Sequence, residues 1–413
     1  MNLLYLAHRL PYPPNKGEKI RSFHQIRHLA RRHTIHLCSF VEDRDDKRYG
    51  TDLRESCASV ALVYRSPVRS LLSVGEALVR DAPFSVALYK NREFADNVRQ
   101  LARKEQFDCL IASSSSVAQY ASLLTKIPKI IDFIDIDSEK WRLYALFRKP
   151  PLSLVYGREE RLLSKYEVAM ARFFDHSVVV SQDERRALES RVSDRPVSVI
   201  SNGVDIEYFA PGAATKNQAR LPIIVFTGVM DYYPNVDAVE YFCKDILSLV
   251  CAAVPATQFH IVGRNPTRRV KRLSNRNQVV VTGTVPDVRP YLRKAAVAVA
   301  PFRLARGVQN KVLEALAMGL PVVGSRATIE AIGAADRDAI RIADDPASFA
   351  RHVIAYLQAD SESCRNVARQ ARSYVESDHR WEDQGARLEN LLDQVVGTNS
   401  RTHILDVKRV ALA

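Results

Sequence analysis

The fold of this chain is written most plainly in VAVAPFRLARGVQNKVLEALAMGLPVVGS, residues 297–325. A valine-rich strand stops at Pro301, a loop carries Arg303, Arg306 and Gly307, a helix starts near Gln309, and a second apolar run follows in PVVGS. Strand, helix and strand in this order make the repeating unit of a parallel sheet covered by helices. The amino terminus of the helix, with Lys311 on it, points at any anion lying beyond the strand end. Glu314 is placed to accept hydrogen bonds from ribose hydroxyls. It can equally be a helix-favouring acid near a positive helix end, worth about 0.3–1 kcal/mol.

The same alternation extends outward in both directions. PIIVFTG, QFHIVG and VVVTG precede this segment as short strands, with helices expected near 237–252 and in DVRPYLRKA. Further upstream, NLLYLA, TIHLCSFV, FDCLIAS, KIIDFID and HSVVVSQ each lead into a helical pattern, the first into GEKIRSFHQIRHLARRH. Between the two series, residues 201–222 are rich in turn formers and read as a link. At 413 residues the chain exceeds what one core usually holds, so two sheets of the same kind are expected. From residue 378 an amphipathic helix follows, with Trp381, Leu388, Leu391, Leu392 and Val395 on one side.

Nine of the fifteen glycines lie between Gly203 and Gly333, and Gly228, Gly263 and Gly283 each follow directly on a strand. Glycine at a strand exit lets backbone amides approach a phosphate, which points to a nucleotide site in the second half; it also serves simply for a tight turn. Neither a P-loop nor the G-x-G-x-x-G dinucleotide fingerprint occurs. The formal charge of +13 favours an anionic partner. Six scattered cysteines without a C-x-x-C pair and histidines without ligand spacing argue against metal and redox frameworks, and a reducing cytoplasm fits. No run is long enough to span a membrane, and the amino terminus reads as a first strand. Arg9, Lys16, Lys19, Arg21, Arg27, Arg31 and Arg32 stand against the single acid Glu18, a composition that suits anionic lipid headgroups. A second basic stretch at 264–276 reads as a solvated loop and helix face. Nucleic acid is not expected as a partner, since interleaved aromatics and reading motifs are lacking.

Together with 297–325, the segments SNGVDIEYF, IVFTGVMDYYPNVDAVEYF, FHIVGRNP and VTGTVPDVRPYL resemble the donor half of the family 4 retaining glycosyltransferases of the GT-B fold. LYLAHRLPYPPNKGEKIRSFHQIRHLA, IIDFIDIDSEKW and ARGVQNKVLEALAMGLPVV are similar to the sugar transferases of exopolysaccharide loci in bacteria with the PEP-CTERM/exosortase system. The resemblance implies an α/β chain of two facing Rossmann-like domains with parallel sheets and a C-terminal crossover helix. Residues 1–202 with 378–396 would form the acceptor side, 203–377 the nucleotide-sugar domain, and 397–413 a tail. It further implies retaining transfer of a sugar from a nucleotide-diphosphate donor to a lipid-linked exopolysaccharide acceptor, in the cytoplasm at the inner face of the membrane. Neither cofactor nor metal is implied.

By the same resemblance Glu314 holds the ribose, Gly17 lets the first domain approach the donor phosphates, and Gly228, Arg264, Gly307 and Asn310 complete the donor site. The chain also departs from the family. Arg306 stands where a second glutamate is common, and is read as pairing with the diphosphate or an acidic sugar. The usual arginine and lysine after the first strand exit are missing, since Val229 follows Gly228 and YYPN continues, so the clamp falls to Arg264, Arg306 and Lys311. Ser113 to Ser116 occupy the place of a common histidine. Asp135 and Asp137 share one side if their strand continues, and either can orient the acceptor hydroxyl or the sugar; Asp137 can instead cap the following helix. Two other readings of the same fold are a sugar-nucleotide epimerase and a catalytically silent nucleotide-sugar-binding scaffold.

Overall fold

The structure, a computed structural model, describes residues 1–212, 221–304 and 306–410. It divides into two units, one of Met1–Ile200 with the residues from Glu382 onward, the other of Ser201–Trp381.

The first unit holds seven strands: β1 (Asn2–Ala7), β2 (Thr34–Val41), β3 (Ser59–Tyr64), β4 (Cys109–Ser113), β5 (Lys129–Ile134), β6 (His176–Val179) and β7 (Val197–Val199). All pair in parallel in the order β3-β2-β1-β4-β5-β6-β7. The central strands β1 and β4 are apolar on both faces because helices cover both, so they read as unbroken hydrophobic runs. The order reverses between β1 and β4, opening a crevice at their carboxyl ends. From the helix Trp381–Val410, Leu388, Leu391, Leu392 and Val395 join the core formed by Leu3, Tyr5, Ile26 and Leu29. That helix continues over 397–410, most of the stretch from 397 expected as a tail; Gly397 within it costs only about 1 kcal/mol.

The helix Gly17–Leu29 turns one face to this core, burying Arg21, Ser22, Gln25, Ile26 and Leu29 at helical spacing. Arg21 is 1% exposed and grips the fully buried Asp132 of β5 through Nε (2.7 Å) and Nη2 (3.2 Å). Gln25 donates to the same carboxylate at 2.7 Å and accepts from the Tyr5 hydroxyl at 2.6 Å. Arg9 pairs with Glu18 (2.5 Å) and Glu42 (3.1 Å), Lys16 with Glu42 (3.5 Å), and Lys19 is buried. Part of the charge of the opening basic stretch is thus turned onto carboxylates, that of Arg9, Lys16 and Arg21, while Arg27, Arg31 and Arg32 stay exposed.

At β5 the strand ends at Ile134, whose φ of +66° turns the chain out of the sheet, and a helix begins at Asp137. Asp135 and Asp137 therefore do not share a strand face. Asp137 is also no cap, since Ile136 occupies that position and the Asp137 carboxylate is held by Lys140.

The second unit repeats the plan with β8 (Ile223–Thr227), β9 (Gln258–Val262), β10 (Val279–Gly283), β11 (Val297–Ala300), β12 (Val322–Gly324) and β13 (Ile340–Ile342). The order is β10-β9-β8-β11-β12-β13, again parallel, reversing between β8 and β11. The helix expected near 237–252 starts earlier, at Tyr233, and carries a five-residue π turn at Phe242–Ile246 before resuming as Leu247–Ala253. Residues 201–212 are part of this unit and not a free link: the Val204 amide donates to the His379 carbonyl at 2.7 Å, and buried Asn202 donates to Asn310 at 2.8 Å. Residues 213–220 of the expected link lie outside the described residues.

Replacing Asp132 by alanine strands the buried guanidinium of Arg21, and loss of one partner of a buried pair costs about 3–5 kcal/mol. Urea unfolding of Asp132→Ala should show a deficit of that size. An unshifted midpoint would mean that the pair does not hold the helix Gly17–Leu29 to the sheet.

Candidate active site

The second unit gathers polar groups where β8, β9 and β11 end. The chain leaves β8 through Gly228 and β9 through Gly263, whose φ is +150°. A Cβ on Gly263 would lie 1.7 Å from the Gly228 carbonyl oxygen, so the two exits touch backbone to backbone. Only glycine permits this. The Gly228 amide donates to the Val262 carbonyl at 3.0 Å, and the Met230 amide donates to that of Arg264 at 2.8 Å, fastening the loop after β8 to the loop after β9.

Lys311 enters this junction from the first turn of the helix Asn310–Ala317. Its Nζ lies 2.9 Å from where a Gly228 Cβ would stand, and it donates to Asn235 Oδ1 at 2.6 Å. The same ammonium sits 4.6 Å from the centroid of the Phe226 ring and 4.8 Å from that of Phe302. Asn235, 4% exposed, turns its Nδ2 to the Val229 carbonyl at 2.8 Å, so its amide is oriented and its oxygen is left for the lysine.

Glu314 follows Lys311 by three residues, hence on the same side of the helix. Burial pushes the Lys311 pKa down to about 7, against the pull of Glu314, and pushes the Glu314 pKa up to about 7, against the pull of Lys311. Desolvation wins over mutual attraction in both groups. The pair can therefore change its charge near neutrality, a behaviour that concentrates at functional sites.

The remaining expected residues of this unit fall as follows. Gly307, at φ +64°, turns the chain toward the helix, and the Arg306 carbonyl accepts from the Gln309 side chain at 3.1 Å. Asn310 is the first helical residue and is held by Asn202. Arg264 is tied to the site through its backbone. Arg303 is turned to Asp237, at 2.5 and 3.0 Å. Arg268, Arg269, Lys271 and Arg272 are exposed, as expected of a solvated helix face, and Arg269 pairs with Glu240. Asn235, Gly263 and the two phenylalanines complete the constellation.

In the first unit Gly17 opens its helix and Asp135 follows β5. Burial raises the Asp135 pKa, with the carboxylates of Glu184 and Asp137 adding to the effect. Glu167, fully buried, is pushed up to about 8 by desolvation although the Ser138 amide (3.1 Å) and hydroxyl (2.5 Å) donate to it. Beyond β1, the His8 ring Nδ1–H donates to the Ser113 carbonyl at 3.2 Å, and burial lowers the His8 pKa. Ser113 to Ser116 are all buried, and Ser113 Oγ meets Ser22 Oγ at 3.0 Å.

The family described as glycosyl transferases group 1 matches residues 221–359, and glycosyltransferase family 4 matches residues 21–208. Among solved structures, sucrose-phosphate synthase from Thermosynechococcus elongatus is 17% identical and covers 96% of this chain and 100% of its own, at TM-score 0.71. HepE of Anabaena in complex with UDP is 14% identical, with 95% of this chain and 100% of that chain covered at TM-score 0.65. A variant of S. aureus TarM, in complex with fondaparinux, alpha-GlcNAc-glycerol and UDP, is 10% identical over 95% and 99%, at TM-score 0.65. No curated protein matches the chain. The chain carries a glycosyltransferase family 4 region followed by a group 1 region, and its fold is GT-B.

The two exit glycines should respond differently to alanine. Gly263→Ala collides with backbone and forces an unfavourable φ, costing about 1–3 kcal/mol. Gly228→Ala meets mainly the end of the Lys311 side chain and the Asn235 amide, which can move, and should cost less than about 1 kcal/mol. Thermal unfolding of both variants measures the contrast, and equal losses would contradict it.

Proposed function

We propose that this glycosyltransferase moves a sugar from a nucleotide-diphosphate donor to a lipid-linked exopolysaccharide acceptor with retention at the anomeric carbon. The observation that carries the donor half of this reading is the ammonium of Lys311 pressed against Gly228 at the switch between β8 and β11, with Glu314 beside it. In an open parallel sheet this is where ligands bind. That HepE is solved with UDP and with UDP-glucose on the same fold supports a nucleotide-sugar donor.

Each group then has a task. Glu314 accepts hydrogen bonds from the ribose diol. The amides at the start of the helix Asn310–Ala317, Lys311 and Arg306 face the diphosphate, whose negative charge grows as it leaves. Cations fixed in advance at a water-poor site stabilise that charge more in the transition state than in the ground state. In the chemical step the bond from anomeric carbon to phosphate oxygen breaks and the acceptor oxygen bonds to the same face. The acceptor proton passes to the departing phosphate oxygen, so no side-chain nucleophile is required. Arg264 assists the diphosphate, and Asp135 orients the acceptor hydroxyl. The reading needs no cofactor, and activity should survive chelators. On this reading its counterparts would be the transferases of PEP-CTERM-associated exopolysaccharide loci.

The Lys311–Glu314 pair gives the proposal a pH signature. Lys311 is charged below its pKa of about 7 and loses its attraction for phosphate as pH rises. Glu314 is ionised above about 7 and loses acceptor strength as pH falls. Affinity for a nucleotide-sugar, which does not itself titrate in this range, should therefore be bell-shaped around neutrality, with apparent values belonging to the pair. Calorimetry with UDP-glucose and GDP-mannose across pH tests it. Lys311→Met should remove the alkaline limb, and Glu314→Gln the acidic limb. Glu314→Ala should weaken the responding nucleotide about tenfold or more. A flat profile, or a response unaltered by these substitutions, would remove the assignment.

A further inference from the structure

Among the described residues, nine of fifteen exposed large apolar side chains fall in two stretches of the first unit, 68–79 and 146–155. The second stretch is the tip of a hairpin formed by the helices Asp137–Phe147 and Leu152–Phe173. At this tip Leu146 and Leu154 are 69% and 71% exposed, with Phe147, Leu152 and Val155 beside them in sequence. Such side chains gain nothing from facing water, and a cluster of this kind marks a contact surface.

The helix Pro67–Val79 carries a second exposed apolar set, Leu72, Leu78 and Val79. Its carboxyl end is bound to the hairpin through Arg158, whose guanidinium donates to the carbonyls of Ala77 (3.1 Å) and Ala82 (3.3 Å) and pairs with Asp81 (3.3 Å). Glu159 adds two backbone bonds from Phe84 (2.7 Å) and Ser85 (2.8 Å). The two apolar stretches are thus carried on one connected support.

Charge decides what covers it. From Lys140 to Arg158 the sequence has five basic residues and no acid. Two acids at the border are each engaged by two basic groups, Glu76 by Arg80 and Lys90, Asp81 by Arg158 and Arg161. Trp141, Tyr144 and Tyr156 cluster at the base of the tip, the kind of amphipathic rings that settle at headgroup depth. Three of these five cations are paired, Lys140 with Asp137, Arg142 with Glu139 and Arg158 with Asp81, but the tip itself, 146–155, carries Arg148 and Lys149 and no acid, and apolar side chains beside such a tip match a bilayer with anionic headgroups. No helix among the described residues is long and apolar enough to cross a membrane, so the contact is with its surface.

We infer that the hairpin tip around Leu146 and Leu154, with the helix Pro67–Val79, docks the first unit on an anionic lipid surface. The inference gives the lipid-linked acceptor of the proposed function a place of presentation and rests on that reading only for its purpose.

Flotation of the full chain with vesicles, without donor or acceptor, tests the surface alone. Wild type should float with phosphatidylcholine vesicles containing phosphatidylglycerol, less with phosphatidylcholine only, and less as salt rises. Leu146→Asp with Leu154→Asp should cut the floated fraction about tenfold, and Arg148→Glu with Lys149→Glu should abolish the preference for anionic lipid. Nucleotide binding measured on the same preparations shows that the variants are folded; its failure in wild type would count against the proposed function and not against this surface. Wild type that stays with the soluble fraction, variants that float as wild type does, or a dimer by ultracentrifugation that the leucine substitutions abolish without any vesicle binding would each overturn the inference.

Discussion

The ammonium of Lys311 is where the second unit commits itself. Placing a cation between Phe226 and Phe302 removes it from water, and the cost is visible in a pKa drawn down to about 7. The bond to Asn235, the two ring faces and Glu314 each offset part of that cost. They do not offset all of it, or the lysine would keep its ordinary basicity. A protein gains no stability from this arrangement over an apolar residue of similar volume. Its logic lies in an incoming anion, which would supply the missing interaction and restore full charge to the lysine.

That arrangement depends on backbone before side chains. Lys311 can reach the end of β8 only because Gly228 has no Cβ in its path, and Gly228 takes that position because Gly263 lets the next loop close against its carbonyl. Each glycine is local, yet together they bring the β8 exit, the β9 exit and the start of the helix Asn310–Ala317 to one point. The strand order supplies the rest: reversal between β8 and β11 sends neighbouring helices to opposite faces and leaves the crevice open between them. The first unit has the same reversal between β1 and β4 but fills the space under it differently. There the Arg21–Asp132 pair and Gln25 pin a helix to the sheet, a structural use of polar groups at a place the second unit keeps for titrating ones.

Ten of the thirteen strands were legible as apolar runs, and the three that were not, β3, β7 and β13, all lie at sheet edges. An edge strand is covered less completely: VSV and IRI are three residues each, too short to show a period, and SVALVY, although it holds the run VALVY, buries only Val63 fully. Lys311 and Glu314 were legible because their relation is one helical turn. Asn235 was not, because its bond to Lys311 spans 76 residues and no local pattern encodes it. The same reason hid the partners of part of the opening basic stretch. Sequence showed seven cations near one acid, while Glu42 and Asp132, the acids that take Arg9, Lys16 and Arg21, come from the residue after β2 and from β5.

Net charge therefore says little about where a positive surface lies. The excess of +13 is a sum over cations that fold inward onto carboxylates, cations on solvated helices such as Arg268–Leu273, and cations left at a rim. What separates the last class is a local absence of acids together with apolar neighbours that remain exposed after folding. Folding energetics would bury Leu146 and Leu154 if the chain offered a partner for them, since each exposed leucine forgoes about 1.5–3 kcal/mol of burial. The helical hairpin that carries them is tied at its base, by Trp141 to the Ser85 hydroxyl and by Arg158 to the Ala77 carbonyl. A support anchored in this way has less to order on contact, so more of the energy of covering the apolar tip goes into association.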